Sequence, residues 1–244
     1  MSNNKPVVPY AELKMSKKEQ VAKMFNNIAP RYDLLNRVLS LGIDRWWRYI
    51  AINRLKEVQP KTILDVATGT ADVALATMRL KPHKVVGIDI SAQMLELGKQ
   101  KIQQRNLQNI ITLMQGDAEN LPFDNNSFDA ITVAFGVRNF ENLEKGLAEL
   151  FRVLKPGGKL VVLEFSKPKI FPMKQLFSIY FTYVLPFIGK LISKDSHAYT
   201  YLPESVQAFP EGNNFTGILQ QTGFKSTQCT PLTFGISSVY TGIK

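Results

Sequence analysis

The apolar residues of this chain follow two recurring patterns, short continuous runs and longer segments with helical spacing. A run at 63–66 ends in a turn of small residues, and apolar positions then recur at helical spacing over 73–78. A second continuous run follows at 85–88 and stops at Asp89. Short runs are typical of strands buried on both faces, and the spaced segment indicates an amphipathic helix. The stretch is therefore predicted to be strand, tight turn, helix and strand.

The same alternation continues towards the carboxyl terminus. Further strands are predicted at 110–114, 130–135 and 160–165, and helices at 91–97 and 143–154. Strands that alternate with helices predict a doubly wound parallel sheet. Two last runs, Phe224 to Thr230 and Phe234 to Thr241, predict a hairpin with Pro231 in its turn. The Pro-Gly-Gly sequence at 156–158 is interpreted as another turn.

The residues before the first strand have helical patterns but too few apolar positions for a core of their own. Ser16 and Glu19 have the spacing of a capping box, so a helix is predicted to begin there. Pro30 is predicted to interrupt that helix. We interpret residues 1–58 as a tail and a helical cap, and residues 59–244 as the main domain.

An insertion at about 168–210 interrupts the main domain and contains an aromatic segment. Fifteen uncharged residues separate Lys174 from Lys190, with Pro186 among them. The segment is too short and too interrupted to span a bilayer. Aromatic residues flanked by lysines suit a membrane interface, a cover over an apolar ligand, or a helix packed on its own core. The aromatic residues are Phe171, Phe177, Tyr180, Phe181, Tyr183 and Phe187.

The turn after the first predicted strand has the features of a nucleotide site. Small residues allow a ligand to approach the backbone closely, and Asp89 at the tip of the next strand suits a ribose diol. A dinucleotide site needs G-x-G-x-x-G, whereas only Gly69 is present. Asp65 and Asp72 flank it, and carboxylates that would repel a pyrophosphate suit the ammonium and sulfonium of S-adenosylmethionine. A strand, turn and helix without a ligand is the alternative.

The net charge of +10 is concentrated in two segments. Residues 1–60 and residues 155–194 each carry +6, whereas the other two segments carry −1 each. Basic surfaces attract nucleic acid or anionic lipid, although scattered lysines also occur on surfaces that are merely soluble. The apolar share of 45% is that of a globular protein.

Cysteine and histidine are rare in this sequence. Cys229 is the only cysteine, which excludes an internal disulfide and fits a reducing, cytoplasmic compartment. With two histidines besides, no Cys/His metal site is visible, so no metal is expected. The first residues lack the apolar core of a signal peptide, and no apolar run is long enough for a spanning helix.

Four stretches together resemble one family. They are VAKMFNNIAPRYDLLNRVLSLGIDRWWR at 21–48, ILDVATGTADVAL at 63–75, FGVRNFENLEKGLAELFRVLKPGGKLVVLEFSKP at 135–168 and YTYLPESVQAFP at 199–210. The second is shared by all class I S-adenosylmethionine-dependent methyltransferases, whereas the third and fourth are specific. Over residues 16–244 the chain resembles the UbiE/MenG family of quinone C-methyltransferases.

The resemblance implies both a fold and a reaction. The fold is Rossmann-like, a mostly parallel seven-stranded sheet with a C-terminal antiparallel hairpin and a helical insertion after strand five. The reaction is methyl transfer from S-adenosylmethionine to a prenylated quinol ring, demethylmenaquinol to menaquinol, at the last step of menaquinone biosynthesis. The alternatives are the C-methylation of ubiquinone biosynthesis, methylation of a phospholipid headgroup or small amine, and a nucleic-acid-binding protein with a methyltransferase-like fold.

Roles for individual residues follow from the turn and from the resemblance. The residues expected to bind the cofactor are Asp65, Gly69, Thr70, Asp89, Asp117 and Ala118. The residues expected at the methyl-transfer step are Tyr32, Arg138 and Asn139. Ala71 stands where the family's turn has a glycine, and a positive φ there would cost about 1 kcal/mol. Ala134 stands where some relatives carry a serine that touches the cofactor, so that contact is expected to be missing.

The expected chemistry needs a base, a stabilising cation and a route to the substrate. Arg138 can stabilise a quinol phenolate, but it keeps its own proton and cannot be the base. The candidates for the base are Asp72, His197, a tyrosine and water. We expect a prenylated quinol substrate, weak contact with an anionic membrane at the inner face of the cytoplasmic membrane, and no nucleic acid. The oligomeric state is left open, with a homodimer among the options.

Overall fold

The protein is built on one sheet of seven strands, and the computed structural model describes residues 7–184 and 197–244. The strands are β1 Thr62–Val66, β2 Lys84–Asp89, β3 Ile111–Gln115, β4 Phe128–Ala134, β5 Leu154–Phe165, β6 Lys225–Leu232 and β7 Ser237–Ile243. Their order is β3-β2-β1-β4-β5-β7-β6. Strands β1 to β5 pair in parallel, and β7 pairs antiparallel with β5 and β6. The predicted parallel sheet with an antiparallel hairpin at its end is confirmed.

Helices cover both faces of the sheet. They are α1 Lys17–Leu39, α2 Asp44–Asn53, α3 Asp72–Ala76, α4 Ala92–Gln104, α5 Leu143–Val153, α6 Met173–Ile179, α7 His197–Ala208 and α8 Asn213–Thr222. Shorter helical turns occupy Lys56–Val58, Thr77–Leu80, Val137–Asn139, Tyr180–Val184 and Thr233–Gly235. One core contains Leu150 and Phe215, and the other contains Trp47 and Ile102. Because both faces are covered, the central strands are continuous apolar runs in the sequence.

The strand order reverses beside β1. Strands β2 and β3 lie on one side of it, and β4 and β5 lie on the other. The register pairs Val66, at the end of β1, with Ile88 of β2 and Val133 of β4. Parallel sheets form a crevice at the carboxyl ends of their strands where the order reverses. The turns after β1, β2 and β4 therefore share one edge of the sheet.

Helix α1 begins at its predicted cap and continues through Pro30. Ser16 and Glu19 accept hydrogen bonds from each other's backbone N–H groups, which confirms the capping box. The predicted interruption at Pro30 is wrong. Buried residues such as Met24 and Leu35 pack α1 against other helices on both sides of the proline. This packing outweighs the cost of the proline, which the sequence pattern alone does not include.

Two predicted turns differ from the structure. Pro231 belongs to β6, and the hairpin turn is formed by Thr233–Gly235 instead. Strand β6 is an edge strand that pairs only with β7, and edge strands tolerate proline. The Pro-Gly-Gly sequence is part of β5, which begins at Leu154 and pairs irregularly with β4.

The aromatic insertion has a buried part and an exposed part. Phe177 and Phe181 are each 8% exposed and pack against Val206 of α7. Phe171 and Tyr183 are 81% and 70% exposed. Pro186 and Phe187 lie outside the described residues. Within the two described ranges, no helix is long and apolar enough to cross a membrane.

Candidate functional site

A cleft of about 690 Å³, open solvent at its mouth included, lies at the carboxyl edge of β1, β2 and β4. Its walls are formed by α1, the turn after β1, the ends of β2 and β3, and the segment after β4. Of the nine predicted site residues, six line it. They are Tyr32, Gly69, Asp89, Asp117, Ala118 and Asn139. The cleft therefore lies where the reversal of strand order predicts a ligand.

The turn after β1 has an unusual backbone. Ala67, Gly69 and Ala71 have φ values of +54°, +55° and +65°. The positive φ expected at Ala71 is present, and for alanine it costs about 1 kcal/mol. The Thr68 N–H donates to the Ile88 carbonyl at 3.1 Å, and the Ala71 N–H donates to the Thr68 carbonyl at 2.9 Å. The first bond holds the strained turn against the end of β2, and the second closes the turn on itself.

Asp89 presents its carboxylate to the cleft at the end of β2. Its Oδ2 accepts the N–H of Gly69 at 2.8 Å, and its Oδ1 accepts the N–H of Ser91 at 2.8 Å. Burial raises the pKa of Asp89, and hydrogen bonds from the backbone N–H groups of Ser91, Gly69 and Ile90 oppose the rise. A carboxylate has about four acceptor sites, so Asp89 can still accept a hydrogen bond from a hydroxyl of a ribose. The residues present therefore fit S-adenosylmethionine at its ribose.

Asp117 and Ala118 line the cleft beyond the end of β3. Asp117 forms an ion pair with Lys18 of α1 at 2.5 Å, and it also accepts the N–H of Glu119 at 3.0 Å. The hydrogen bond that Lys18 donates to Asp117 raises the pKa of Lys18. Lys18 lines the cleft too, and sequence reasoning missed it because its partner lies 99 residues further along the chain.

Thr70 lies in the turn but does not line the cleft. Its hydroxyl donates to Asp33 of α1 at 2.7 Å and accepts from Lys101 of α4 at 2.9 Å. Lys101 also pairs with Asp72 at 2.6 Å. Burial alone would raise the pKa of Asp72, but the Lys101 hydrogen bond and charge hold it below its usual value. Thr70 thus ties the turn to two helices, and the paired Asp72 is a poor candidate for a base.

Asp65 lies beneath the cleft instead of in its wall. It is 1% exposed, and its carboxylate accepts the hydroxyls of Thr68 and Thr132 at 2.6 Å each. Burial raises the pKa of Asp65 to about 6. The structure therefore places Asp65 as a support of the turn and not next to the space in which a ligand would lie.

Arg138 belongs to the segment that follows β4, and its side chain is buried. Its guanidinium donates to Glu164, at the end of β5, at 2.7 Å, and its side chain is only 8% exposed. Burial raises the pKa of Glu164, while the charge of Arg138 opposes the rise. Arg138 does not line the cleft, whereas its neighbour Asn139 does. The Oδ1 of Asn139 accepts the hydroxyl of Tyr201 at 3.1 Å.

The remaining candidates differ in their access to the cleft. Tyr32 lines it from α1, and burial raises the pKa of its hydroxyl. His197 does not line it and packs on Tyr10 with ring centroids 5.1 Å apart. Ala134 lines the cleft at the end of β4. In the part of the chain that the structure describes, no group of three or more His, Cys, Asp or Glu residues could hold a metal ion.

Comparison with known proteins gives one family over nearly the whole chain. A family model described as the ubiE/COQ5 methyltransferase family matches residues 13–244. A Bacteroides fragilis protein named demethylmenaquinone methyltransferase is 52% identical over 229 residues, 93% of this chain and 94% of its own. A Porphyromonas gingivalis protein of the same name is 44% identical over all of both chains. A Geotalea daltonii protein named ubiquinone/menaquinone biosynthesis C-methyltransferase UbiE is 50% identical over 93% of this chain and 97% of its own.

Solved structures share the fold at low identity. The [4+2]-cyclase SpnF matches with a TM-score of 0.59 and 18% identity, over 93% of this chain and 96% of its own. A SAM-dependent methyltransferase from Aquifex aeolicus matches with a TM-score of 0.51 and 20% identity, over 75% of this chain and 82% of its own. Because one of these proteins is named for a cyclisation, the likeness carries the fold and not the reaction.

Proposed function

The chain belongs to the ubiE/COQ5 methyltransferase family, and we propose that it transfers the methyl group of S-adenosylmethionine to a ring carbon of demethylmenaquinol, forming menaquinol. The observation that carries the proposal is a single cleft with the Asp89 carboxylate and the Asn139 amide both in its wall. The first suits a ribose, and the second suits an oxygen of an aromatic acceptor. The names of the Bacteroides fragilis and Porphyromonas gingivalis relatives support this acceptor.

The cofactor end of the cleft is formed by the turns after β1, β2 and β3. Asp89 would hold the ribose diol, and Asp117 with Ala118 would lie beside the adenine. Thr70 would act from behind, because its bonds to Asp33 and Lys101 fix the turn. S-adenosylmethionine, when bound, supplies an electrophilic methyl group on a sulfonium.

The acceptor end is formed by α1 and the segment after β4. A quinol carbon becomes nucleophilic when the neighbouring hydroxyl loses its proton, and the charge of the resulting phenolate must be stabilised. Once the methyl group is bonded to the ring carbon, that carbon loses its hydrogen as a proton and the ring becomes aromatic again. Asn139 lines the cleft and can donate an N–H to the phenolate oxygen, and the Arg138 guanidinium is close to it, since both donate to the Phe135 carbonyl. Tyr32, whose pKa is raised, keeps its proton and can also donate. We assign the proton acceptor to water, since Asp72 is paired and His197 lies outside the cleft wall.

A prenylated quinol resides in a bilayer, and an exposed apolar face gives this chain a means to reach it. We define the apolar face as Leu41, Ile170, Phe171, Leu176, Ile179 and Tyr183, each more than half exposed. The Tyr180 hydroxyl donates to the Leu39 carbonyl at 2.7 Å, which joins the helical turn after α6 to the end of α1, two residues before Leu41. Lysines in the segment before α6 add attraction to anionic lipid, at about 1 kcal/mol each. This supports reversible binding at the inner face of the cytoplasmic membrane.

Methyl transfer to defined acceptors tests the proposal. The purified protein is incubated with radiolabelled S-adenosylmethionine and either demethylmenaquinol or the benzoquinol of ubiquinone synthesis, both reduced and in the same detergent. The benzoquinol is the second candidate, because the Geotalea daltonii relative is named for both pathways. We expect label in menaquinol, with the mass gain of one methylene, and a higher kcat/KM for demethylmenaquinol. Label in ethanolamine phospholipid, with none in either quinol, would contradict the proposal.

A further inference from the structure

Helix α7 places one buried hydroxyl against Asn139, a residue in the wall of the cleft. Tyr201 is 2% exposed, and its hydroxyl lies 3.1 Å from the Oδ1 of Asn139. Asn139 ends the short helix Val137–Asn139 and lines the cleft. Tyr201 belongs to the stretch 199–210, and none of the residues expected to bind the cofactor lies in that stretch.

The contacts of Asn139 fix which way its amide faces. One end of the amide lies 3.4 Å from the carbonyl oxygen of Phe135, which can only accept, so that end must be Nδ2. The other end is therefore Oδ1, and the Tyr201 hydroxyl must be the donor towards it. An Nδ2 group carries two hydrogens, and Phe135 takes one of them. The second is free to donate to a ligand in the cleft.

Tyr201 is well suited to hold this orientation. Burial raises its pKa to about 12, so the hydroxyl keeps its proton over the physiological range. Two buried charges also act on the pKa of Tyr201, in opposite directions: Arg138 lowers it and Glu164 raises it. Because its side chain is almost completely covered, water cannot easily replace the hydroxyl as a donor.

We propose that Tyr201 is a positioning residue for methyl transfer: its hydroxyl holds the Asn139 amide with an N–H towards the acceptor's oxygen. The inference rests on the proposed function, since it assigns a task to the same cleft. It predicts that removing the Tyr201 hydroxyl lowers kcat only while Asn139 is present. If Tyr201 only packed α7 onto the sheet, removing its hydroxyl would change kcat equally with and without Asn139.

A double-mutant cycle tests this dependence. Tyr201→Phe keeps the ring and removes one hydrogen bond, so we expect kcat to fall about threefold to tenfold with cofactor affinity unchanged. In an Asn139→Ala background, the same substitution should leave kcat unchanged. Tyr240→Phe is the matched control, because it removes another buried tyrosine hydroxyl, one that accepts the Gly212 N–H away from the cleft. Equal losses from Tyr201→Phe in both backgrounds would overturn the inference.

A spectroscopic measurement separates the inference from the proposed function. The side-chain amide resonances of Asn139 are identified in labelled protein by their loss in Asn139→Ala. Tyr201→Phe should shift them, and Tyr240→Phe should not. If Tyr201→Phe fails to fold, 3-fluorotyrosine at position 201 keeps the ring, makes the hydroxyl more acidic, and should shift the same resonances. Unshifted resonances would refute the role of Tyr201 even in an active enzyme, whereas shifted resonances in a protein that methylates no quinol would refute only the proposed function.

Discussion

Glu164→Gln is expected to destabilise the protein strongly, because it leaves the Arg138 charge without a partner. Glu164 is completely buried, and Arg138 is 8% exposed, so neither group has ready access to water. The Nε of Arg138 already has no hydrogen-bond partner. Removing one member of a buried ion pair costs about 3–5 kcal/mol. For a chain of this size, that corresponds to a fall in Tm of about 6–20 °C.

Calorimetry and urea denaturation measure this loss, and two further variants show its origin. Glu149→Gln is the control, because it breaks the pair with Arg152, in which both side chains keep access to water, and it should change Tm far less. Arg138→Met combined with Glu164→Gln removes the uncompensated charge and should recover most of the stability. A small Tm shift in Glu164→Gln alone would show that Arg138 does not depend on this carboxylate.

The same double variant separates structure from catalysis. If the Arg138 charge stabilises the phenolate through Asn139, turnover should remain about 10²-fold below that of the wild type although the fold has recovered. Comparing stability and kcat in the double variant therefore shows whether Arg138 has a catalytic or a structural role. Arg138→Ala alone would not show this, because it would change both properties at once. Recovery of turnover together with stability would mean that Arg138 only supports the segment after β4.

Further predictions concern the cofactor, pH and the membrane. Asp89→Ala should abolish S-adenosylmethionine binding in calorimetry, and it should lower stability by about 2–4 kcal/mol because two backbone N–H groups lose their acceptor; unchanged affinity in the folded variant would contradict the ribose assignment. The raised pKa of Asp65 means that the folded state holds that proton more tightly, so its ionisation costs stability as pH rises from about 4 to about 6. Asp65→Asn should thus stabilise the protein by about 2–3 kcal/mol at about pH 8 and by little at about pH 4, which denaturation at both pH values checks. Leu176→Glu with Ile179→Glu should weaken salt-sensitive binding to anionic vesicles. The same variant should raise KM more for a long-tailed quinol than for a tail-less one. Equal effects on both substrates would show that the apolar face does not act by binding the membrane.

The sheet was predictable because its signals are local. Continuous apolar runs mark the buried strands, and a carboxylate at the end of β2 is visible as Asp89 without any structure. The capping box at Ser16 and the strained Ala71 are local signals too. In each case the deciding contact lies within a few residues or follows from the parallel topology.

The partners of the site residues were not predictable in the same way. Arg138 was expected to act on the substrate, yet its side chain pairs with Glu164, which lies 26 residues away on β5. The pattern left Phe177 open between a membrane interface, a cover over an apolar ligand and a helix packed on its own core; the structure buries Phe177, while its neighbour Leu176 is 54% exposed. A spacing pattern does not state which face of an isolated helix will be covered, since that depends on what packs against it.

The contacts of α1 have a consequence for how the protein is made. Lys17, near the amino terminus, donates to the carbonyls of Arg138 and Phe140, more than 120 residues later in the chain. The hydrogen bond to Asn139 can form only after Tyr201, a further 62 residues along the chain, has been synthesised. No early part of the nascent chain can therefore complete the cleft, and α1 must leave the ribosome long before its partners exist. Because such long-range contacts slow folding, the apolar side of α1 is exposed to chaperones and to aggregation during synthesis, well before the enzyme can bind either substrate.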